Sequence, residues 1–242
     1  MRPNAVRRVL EAELALARER ASRPPRVIDL GGGTGGLSVP LAVAGCTVTV
    51  VDPNPDALAT LNRRAEEAGV LERITGVQGD SEALARVVPA GAADLVIGHG
   101  LLEIVDEPSA TVAAMAEAAK PGGLVSVLVA NRYAAVLHRA IAGRLDEAAG
   151  LLADPAGRLH GPGETLQRRF DHDGLNRVLA ESGLVVELIQ GDDVLADLVP
   201  GSVLESTPGA CEALLELELS AACVPPLRDV AARLHALARR PG

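Results

Sequence analysis

The sequence predicts an α/β protein with a doubly wound, mostly parallel sheet of seven strands and a helical insertion after the fifth. Short apolar runs rich in β-branched residues alternate with helical patterns from residue 26 to residue 131, as in parallel sheets. A glycine-rich turn, GGGTGG at 31–36, follows the first of these runs. Beyond the fifth run the chain continues as helix, strand, helix and strand, which brings the strands to seven.

The elements before the insertion follow from periodicity and from helix-breaking residues. An amphipathic helix is predicted at 4–21, and SRPPR ends it. Strands are predicted at 26–30, 46–52, 73–79, 93–99 and 124–131. The helices between the strands are predicted at 37–45, 53–69, 81–88 and 108–120, and PGG ends the last of them.

The pattern changes after strand five. Residues 132–152 have a helical pattern and 153–170 form a loop that contains Gly and Pro, so we interpret 131–170 as an insertion that acts as a substrate lid. The remaining elements are predicted as a helix at 171–183, a strand at 184–191, a helix at 210–223 and a last strand at 232–240. We expect one domain over 1–242, with 1–25 as an N-terminal helical arm.

The composition is that of a globular cytoplasmic protein. Of the 242 residues 48% are hydrophobic, and no apolar run approaches the ~18 residues that span a bilayer. The charged N-terminus has no signal-peptide pattern. Cys46, Cys211 and Cys223 lack metal-site spacing, so we expect reduced thiols, no metal and no membrane partner.

The charge is negative overall but uneven. The net charge of −9 disfavours broad, non-specific binding of nucleic acid. Residues 1–26 nevertheless contain seven Arg and three Glu, and residues 131–170 contain six Arg and four acids. A polyanion would therefore meet the N-terminal arm and the insertion.

The glycine loop predicts a site for a nucleoside-bearing cofactor. Gly31, Gly33 and Gly36 match G-x-G-x-x-G, and Asp52 follows at the distance of a ribose-binding acid. Glycines let the backbone turn tightly and approach a ligand closely. Two cofactors fit this loop, a nicotinamide dinucleotide through its pyrophosphate and S-adenosylmethionine through its amino-acid part.

Acidic residues favour S-adenosylmethionine. Asp29, two residues before Gly31, suits an ammonium better than a pyrophosphate, and Asp52 can accept both ribose hydroxyls. Asp80 and Ser81, after the third strand, have polar groups that could bind the edge of adenine.

VIDLGGGTGG, VTVVDPNPDAL and GVQGDSEAL together resemble the motifs of class I methyltransferases, over nearly the whole chain. The resemblance implies a seven-stranded sheet with an antiparallel last strand and S-adenosylmethionine as cofactor. It also implies that Gly31, Gly32 and Gly33 face the cofactor, that Asp52 binds ribose, and that Asp80 and Ser81 lie near adenine.

Downstream motifs are similar to those of the bacterial tRNA 5-carboxymethoxyuridine methyltransferases, which esterify a carboxylate on a wobble uridine. They are HGLLEIV, KPGGLVSVLVAN, HRAIAGRLDEA, CEALLELE and RLHALARR. AVRRVL resembles the first helix of that family, which implies that Arg7 contacts the cofactor carboxylate. His99 matches a histidine placed near the cofactor. Modified tRNA is therefore the first acceptor hypothesis.

Other acceptors remain open. A carboxylate is already a nucleophile and needs no base, whereas an alcohol or amine would use His99, Glu103 or His138. No catalytic residue is identified from the pattern, but Asn131, Arg132 and Tyr133 are predicted to position the substrate, with Arg168 and Arg169 of the insertion beside phosphates in the tRNA case. The alternatives are a small-molecule O-methyltransferase, acting on a secondary metabolite or a carboxylic acid, and more distantly a nicotinamide-dependent oxidoreductase.

Overall fold

The computed structural model describes residues 5–161 and 163–242, and within them it contains the predicted seven-stranded sheet. The strand order is β3-β2-β1-β4-β5-β7-β6, and β7 runs antiparallel to both of its neighbours. The strands are β1 (Arg26–Leu30), β2 (Thr47–Asp52), β3 (Ile74–Gln78), β4 (Ala93–His99), β5 (Ala119–Ala130), β6 (Val185–Asp192) and β7 (Arg233–Arg239). The fold class predicted from the sequence is confirmed.

Helices cover both faces of the sheet. The described α-helices are α1 (Ala5–Ala21), α2 (Ser38–Val43), α3 (Pro55–Glu67), α4 (Leu84–Val87), α5 (Pro108–Ala118), α6 (Arg132–Ile141), α7 (Leu145–Ala153), α8 (His172–Glu181), α9 (Gly201–Ser206) and α10 (Ala210–Ala221). The first three bury their apolar sides in one core cluster, and α4, α5 and α8 bury theirs in the other. We call these two sides of the sheet the α1 face and the α5 face.

The N-terminal helix lies across the α1 face, with its end at the edge where the parallel strands begin. Arg18 in its last turn donates to the carbonyl of Ala44, ahead of β2, and Arg23 pairs with Asp94 at the start of β4. No helix in the described part of the chain is long and apolar enough to cross a membrane.

The structure departs from the sequence-based elements around the insertion. The helix predicted at 108–120 ends at Ala118, but the strand predicted to begin at 124 already begins at Ala119, so PGG at 121–123 lies inside β5 and not in a turn. A register shift against β4 absorbs them, and Gly122 takes a φ of +73° there. The single helical stretch at 132–152 is two helices, separated by Gly143 with a φ of +75°, and α9 is not predicted.

Candidate active site

The glycine loop is a tight turn at the carboxyl end of β1. Gly31 and Gly33 have φ values of +73° and +54°, which side chains rarely adopt. The N–H of Gly31 donates to the carbonyl of Val51 at 2.8 Å, which fixes the loop against β2. A Cβ at Gly33 would stand 3.9 Å from Oδ2 of Asp52, so any larger side chain there would cover this carboxylate.

Asp52 ends β2 and supports the glycine loop. Its Oδ2 accepts a hydrogen bond from the N–H of Gly33 at 2.9 Å, and its Oδ1 accepts one from the N–H of Asn54 at 2.9 Å. A carboxylate oxygen can accept more than one bond, so each oxygen retains capacity for a ribose hydroxyl. The geometry fits the ribose role predicted for Asp52, which stays a prediction.

Asp29 lies beneath the loop and is buried. The hydroxyl of Ser38 donates to its Oδ2 at 2.5 Å, and a Cβ at Gly32 would come within 2.6 Å of the same oxygen. Burial raises the pKa of Asp29 to about 6, opposed by the bond from Ser38 and reinforced by the charge of Asp52. This carboxyl therefore supports the loop from inside, and its contact with a cofactor ammonium stays a prediction.

Asp80 and Ser81 line a groove at the edge where adenine is predicted to lie. The groove has a volume of about 480 Å³, and Ile104 and Val105, from the loop after β4, line it as well. Oδ1 of Asp80 accepts a hydrogen bond from the N–H of Ala83 at 2.8 Å, so this side chain also stabilises the start of the following turn.

Arg7 lies in the first turn of α1 and pairs with Glu11 at 2.6 Å. The resemblance to the tRNA methyltransferase family implies a contact of Arg7 with the cofactor carboxylate. That contact stays a prediction.

His99 ends β4 and is neutral. Burial, then the charges of His235 and Arg233, lower its pKa to about 3. Its Nε2 lies 2.8 Å from the hydroxyl of Ser126. A histidine with so low a pKa is a weak base near neutral pH, so this position favours a hydrogen-bonding role over proton abstraction.

Glu103 lies just after β4, beside the end of β5, and it is the most unusual polar group of the site. Its side chain is 4% exposed. Oε1 accepts a hydrogen bond from the N–H of Ala130 at 2.7 Å, whereas Oε2 is buried with no hydrogen-bond partner among the described residues. Burial raises its pKa, although backbone hydrogen bonds lower it in part. A buried carboxylate oxygen without a partner is costly unless a ligand completes it.

The predicted substrate-positioning residues at the end of β5 are engaged within the protein. Asn131 caps α6 through the N–H of Tyr133 at 3.0 Å. The buried guanidinium of Arg132 contacts the carboxylate of Asp171 at 2.5 Å and the hydroxyl of Tyr133 at 3.1 Å. It also donates to the carbonyl of Leu152 at the end of α7. Of the three candidates, Tyr133 is the one that reaches solvent, at 36% exposure.

The two arginines at the end of the insertion are likewise engaged. Arg168 donates to the carbonyls of Leu102 and Val105 in the loop after β4. Arg169 is buried and pairs with Glu164 at 2.8 Å. Both guanidinium groups are thus engaged within the protein, and a contact of either with phosphate stays a prediction.

His138 lies apart from the glycine loop, in an apolar groove of about 170 Å³ at the side of α6. The groove lies between α6 and the segments that follow β6 and precede β7. Its apolar lining is Ala134, Leu137, Ile141, Val194, Leu195, Leu198, Leu227, Val230 and Ala232.

Three residues of this region went unnoticed in the sequence. Ser126, Gln190 and His235 are buried on β5, β6 and β7, and they form one hydrogen-bonded group with His99. The signal was present in part, because Ser126 and His235 are lone polar residues within apolar runs, whereas Gln190 shares its strand with Glu187. In the described part of the chain, no cluster of His, Cys, Asp or Glu has the geometry of a metal site.

Comparisons with known proteins agree on the class of enzyme. The family model described as a methyltransferase domain matches residues 4–189. A tRNA 5-carboxymethoxyuridine methyltransferase of Escherichia coli (strain K12) is 26% identical over 121 residues, 50% of this chain and 46% of that protein. A ubiquinone biosynthesis O-methyltransferase of Methylobacterium sp. (strain 4-46) is 36% identical over 118 residues, 48% of this chain and 45% of that protein. The matched part thus spans about half the length of these curated relatives.

The fold has a close counterpart among solved structures. A SAM-dependent methyltransferase from Methanosarcina mazei superimposes with a TM-score of 0.63 at 13% identity, covering 93% of this chain and 97% of that one. The open glycine loop, with the Asp52 carboxylate beside it, fits S-adenosylmethionine. The enzyme class and the cofactor predicted from the sequence are confirmed at the level of the family, and the chain belongs to the methyltransferase domain family of S-adenosylmethionine-dependent enzymes.

Proposed function

We propose that the chain transfers the methyl group of S-adenosylmethionine to a hydroxyl oxygen of a small molecule that carries an apolar part. The observation that carries this proposal is the unpartnered Oε2 of Glu103 at the carboxyl ends of β4 and β5. Doubly wound sheets bind ligands at this edge. A hydroxyl acceptor needs a base, which a carboxylate acceptor does not.

The chemistry assigned to Glu103 is general base catalysis. The cofactor supplies a methyl group on a positively charged sulfur. As the acceptor oxygen bonds to this carbon and the carbon–sulfur bond breaks, Oε2 takes the hydroxyl proton, which leaves a methyl ether and S-adenosylhomocysteine. Burial raises the pKa of Glu103 above its ordinary value, which strengthens it as a base.

The end of the insertion holds the loop that carries this base. The N–H of Gln167 donates to the carbonyl of Glu103 at 2.9 Å. The guanidinium of Arg168 donates to the carbonyl of Leu102 at 3.0 Å and also to the carbonyl of Val105. Precise placement of a reacting group is worth a large part of a catalysed barrier, so we assign a positioning role to Arg168.

The apolar groove beside α6 supplies a place for the rest of the acceptor. Glu103 contacts the end of β5 through Ala130, and the groove begins close by at Ala134 and Ala232, since the N–H of Asn131 bonds the carbonyl of Ala232. Small-molecule sites are typically apolar concavities with few polar groups. The ubiquinone biosynthesis O-methyltransferase relative supports an acceptor of this class.

The modified-tRNA acceptor, the first hypothesis from the sequence, has the Escherichia coli relative in its favour. Against it, Arg132, Arg168 and Arg169 are bound to carbonyl and carboxylate groups of the protein itself. The net charge of −9 also opposes binding of a polyanion. We therefore rank the small-molecule acceptor first.

Methyl-labelled S-adenosylmethionine tests the proposal. The purified chain is incubated with an alkyl-substituted catechol, with the corresponding carboxylic acid, and with tRNA that contains or lacks carboxymethoxyuridine. We expect label in the catechol, and a loss of about 10²-fold or more in Glu103→Gln, the usual value of a general base. The control is the affinity of Glu103→Gln for S-adenosylhomocysteine, which should match the wild type.

Label that appears in carboxymethoxyuridine-containing tRNA and in neither small molecule would overturn the proposal in favour of the tRNA hypothesis. Full activity of Glu103→Gln on the catechol would show that Glu103 is not the general base.

A further inference from the structure

A chain of hydrogen bonds crosses four strands beneath His99. Nε2 of Gln190 lies 3.1 Å from Nδ1 of His235, and Nε2 of His235 lies 2.9 Å from the hydroxyl of Ser126. This hydroxyl lies 2.8 Å from Nε2 of His99. Ser126 and His235 have no exposed surface, and Gln190 is 3% exposed. These hydrogen-bonded side chains lie on the α1 face of the sheet. Leu128 and Leu237, which point to the same side of their strands as Ser126 and His235, belong to the core cluster of that face.

The donor and acceptor capacities of these groups fix the direction in which the hydrogen bonds run from Gln190 to His99. The amide nitrogen of Gln190 can only donate, so Nδ1 of His235 accepts and its Nε2–H is the donor to Ser126. The one hydroxyl hydrogen of Ser126 is then directed to Nε2 of His99, which must accept. Both rings are neutral, since burial lowers the pKa of each to about 3. The proton of His99 therefore resides on Nδ1.

We propose that Gln190, His235 and Ser126 are positioning residues that hold His99 as its Nδ1–H tautomer, a donor to an oxygen of the bound cofactor's amino-acid part. Nδ1 of His99 has no hydrogen-bond partner within 5–161 and 163–242, and the residue is partly exposed. In the pairing of β1 with β4, Asp29 lies opposite Ile97, so the continuation of that register brings His99 beside Gly31. The loop that begins at Gly31 is where the amino-acid part is expected.

The inference adds three residues to the cofactor site and does not depend on the identity of the methyl acceptor. We call the hydrogen bonds of Gln190, His235 and Ser126 that fix the tautomer of His99 the tautomer lock. Removing this lock should weaken cofactor binding without abolishing it, because His99 still populates the Nδ1–H tautomer part of the time. The expected loss is about fivefold in affinity, the value of one ordinary hydrogen bond.

The tautomer is read directly by ¹H–¹⁵N correlation spectra of protein labelled at its five histidines, without any ligand. His99 is assigned from the spectrum of His99→Gln. We expect Nδ1 of His99 to be protonated and Nε2 to be unprotonated in the wild type. Ser126→Ala and Gln190→Met should each give a mixture of the two tautomers. Ser182→Ala, which removes a hydroxyl near α8 that donates to a backbone carbonyl, is the control and should leave the spectrum of His99 unchanged.

Calorimetry then tests whether the tautomer of His99 affects the affinity for the cofactor's amino-acid part. Ser126→Ala should weaken S-adenosylhomocysteine about fivefold and leave methylthioadenosine, which lacks the amino-acid part, unchanged. In a His99→Gln background the same substitution should have no further effect. If Ser126→Ala does not fold, Gln190→Met replaces it in both measurements.

A wild-type His99 protonated on Nε2 would overturn the proposal, as would equal losses for the two ligands or none for either. None of these results depends on a methyl acceptor, so they stand apart from a failure of the proposed function.

Discussion

The guanidinium of Arg132 and the carboxylate of Asp171 lie 2.5 Å apart and join the start of α6 to the start of α8. Arg132 is buried, and Asp171 also caps α8 through the N–H of Gly174 at 2.8 Å. Breaking a pair of this kind leaves one charge buried and uncompensated. A charge pair therefore ties the first helix of the insertion to α8 and engages the guanidinium of Arg132 within the protein.

Arg132→Met should lower the free energy of unfolding by about 3 kcal/mol, the lower end for a broken buried pair because Asp171 keeps some solvent contact. Urea denaturation measures this. Arg139→Met, which removes the more exposed pair with Glu147, is the matched control and should cost at most about 1 kcal/mol. Equal losses in the two variants would contradict the anchoring role of Arg132.

The close contact of the glycine loop with Asp29 makes Gly32 intolerant of a side chain. In Gly32→Ala the Cβ would lie 2.6 Å from Oδ2 of Asp29 and 2.9 Å from Cγ1 of Val50. We expect a loss of stability of roughly 1–3 kcal/mol, typical of overpacking, and a displaced loop with weaker binding of S-adenosylhomocysteine. Gly36→Ala is the control, since a Cβ there meets no atom within 4 Å. If Gly32→Ala binds S-adenosylhomocysteine as tightly as the wild type, the glycine loop is not part of the cofactor site.

The low pKa of His99 predicts a pH dependence of stability. Its pKa is about 3 in the folded protein against an ordinary 6.5, so its contribution is complete above pH 6.5 and is lost as the pH falls toward 3. Unfolding near pH 5 should therefore take up one proton at this residue, about 1.4 kcal/mol per pH unit. Urea titrations at several pH values should give His99→Gln a slope lower by this amount. Parallel slopes would show that His99 is not buried as a neutral ring.

Asp52→Ala should weaken S-adenosylmethionine at least tenfold. Its two oxygens hold the N–H groups of Gly33 and Asn54, and hydrogen bonds to a charged group contribute about 1.5–3 kcal/mol each. The loss combines the missing ribose contacts with a loosened loop. Thermal unfolding of the variant provides the check that the fold persists, and an unchanged affinity in a folded variant would reject the assignment.

The parts of the fold that the sequence predicts well are those where local patterns and burial agree. Strands β1 and β4 lie at their predicted limits, because short apolar runs ended by glycine or polar residues leave little freedom. The glycine loop was found because only glycine adopts the φ values of Gly31 and Gly33 at low cost, and Asp52 was found because it follows at the distance of a ribose-binding acid.

The parts that the sequence could not predict depend on tertiary contacts. Pro121 reads as a helix stop, but pairing with the end of β7 keeps its neighbours in β5. The roles of Arg132 and Arg168 could not be read from charge alone, because each meets partners 20 to 66 residues away along the chain. Likewise Gln190 and His99 share one hydrogen-bonded chain only because β6 and β4 flank β7 and β5 in the sheet.

Calorimetric titration of the wild-type chain with S-adenosylmethionine, S-adenosylhomocysteine and a nicotinamide dinucleotide tests the central claim most directly. Both nucleosides should bind in competition at one site per chain, and the dinucleotide should not displace them. Tight binding of the nicotinamide dinucleotide together with no binding of S-adenosylmethionine would contradict the account.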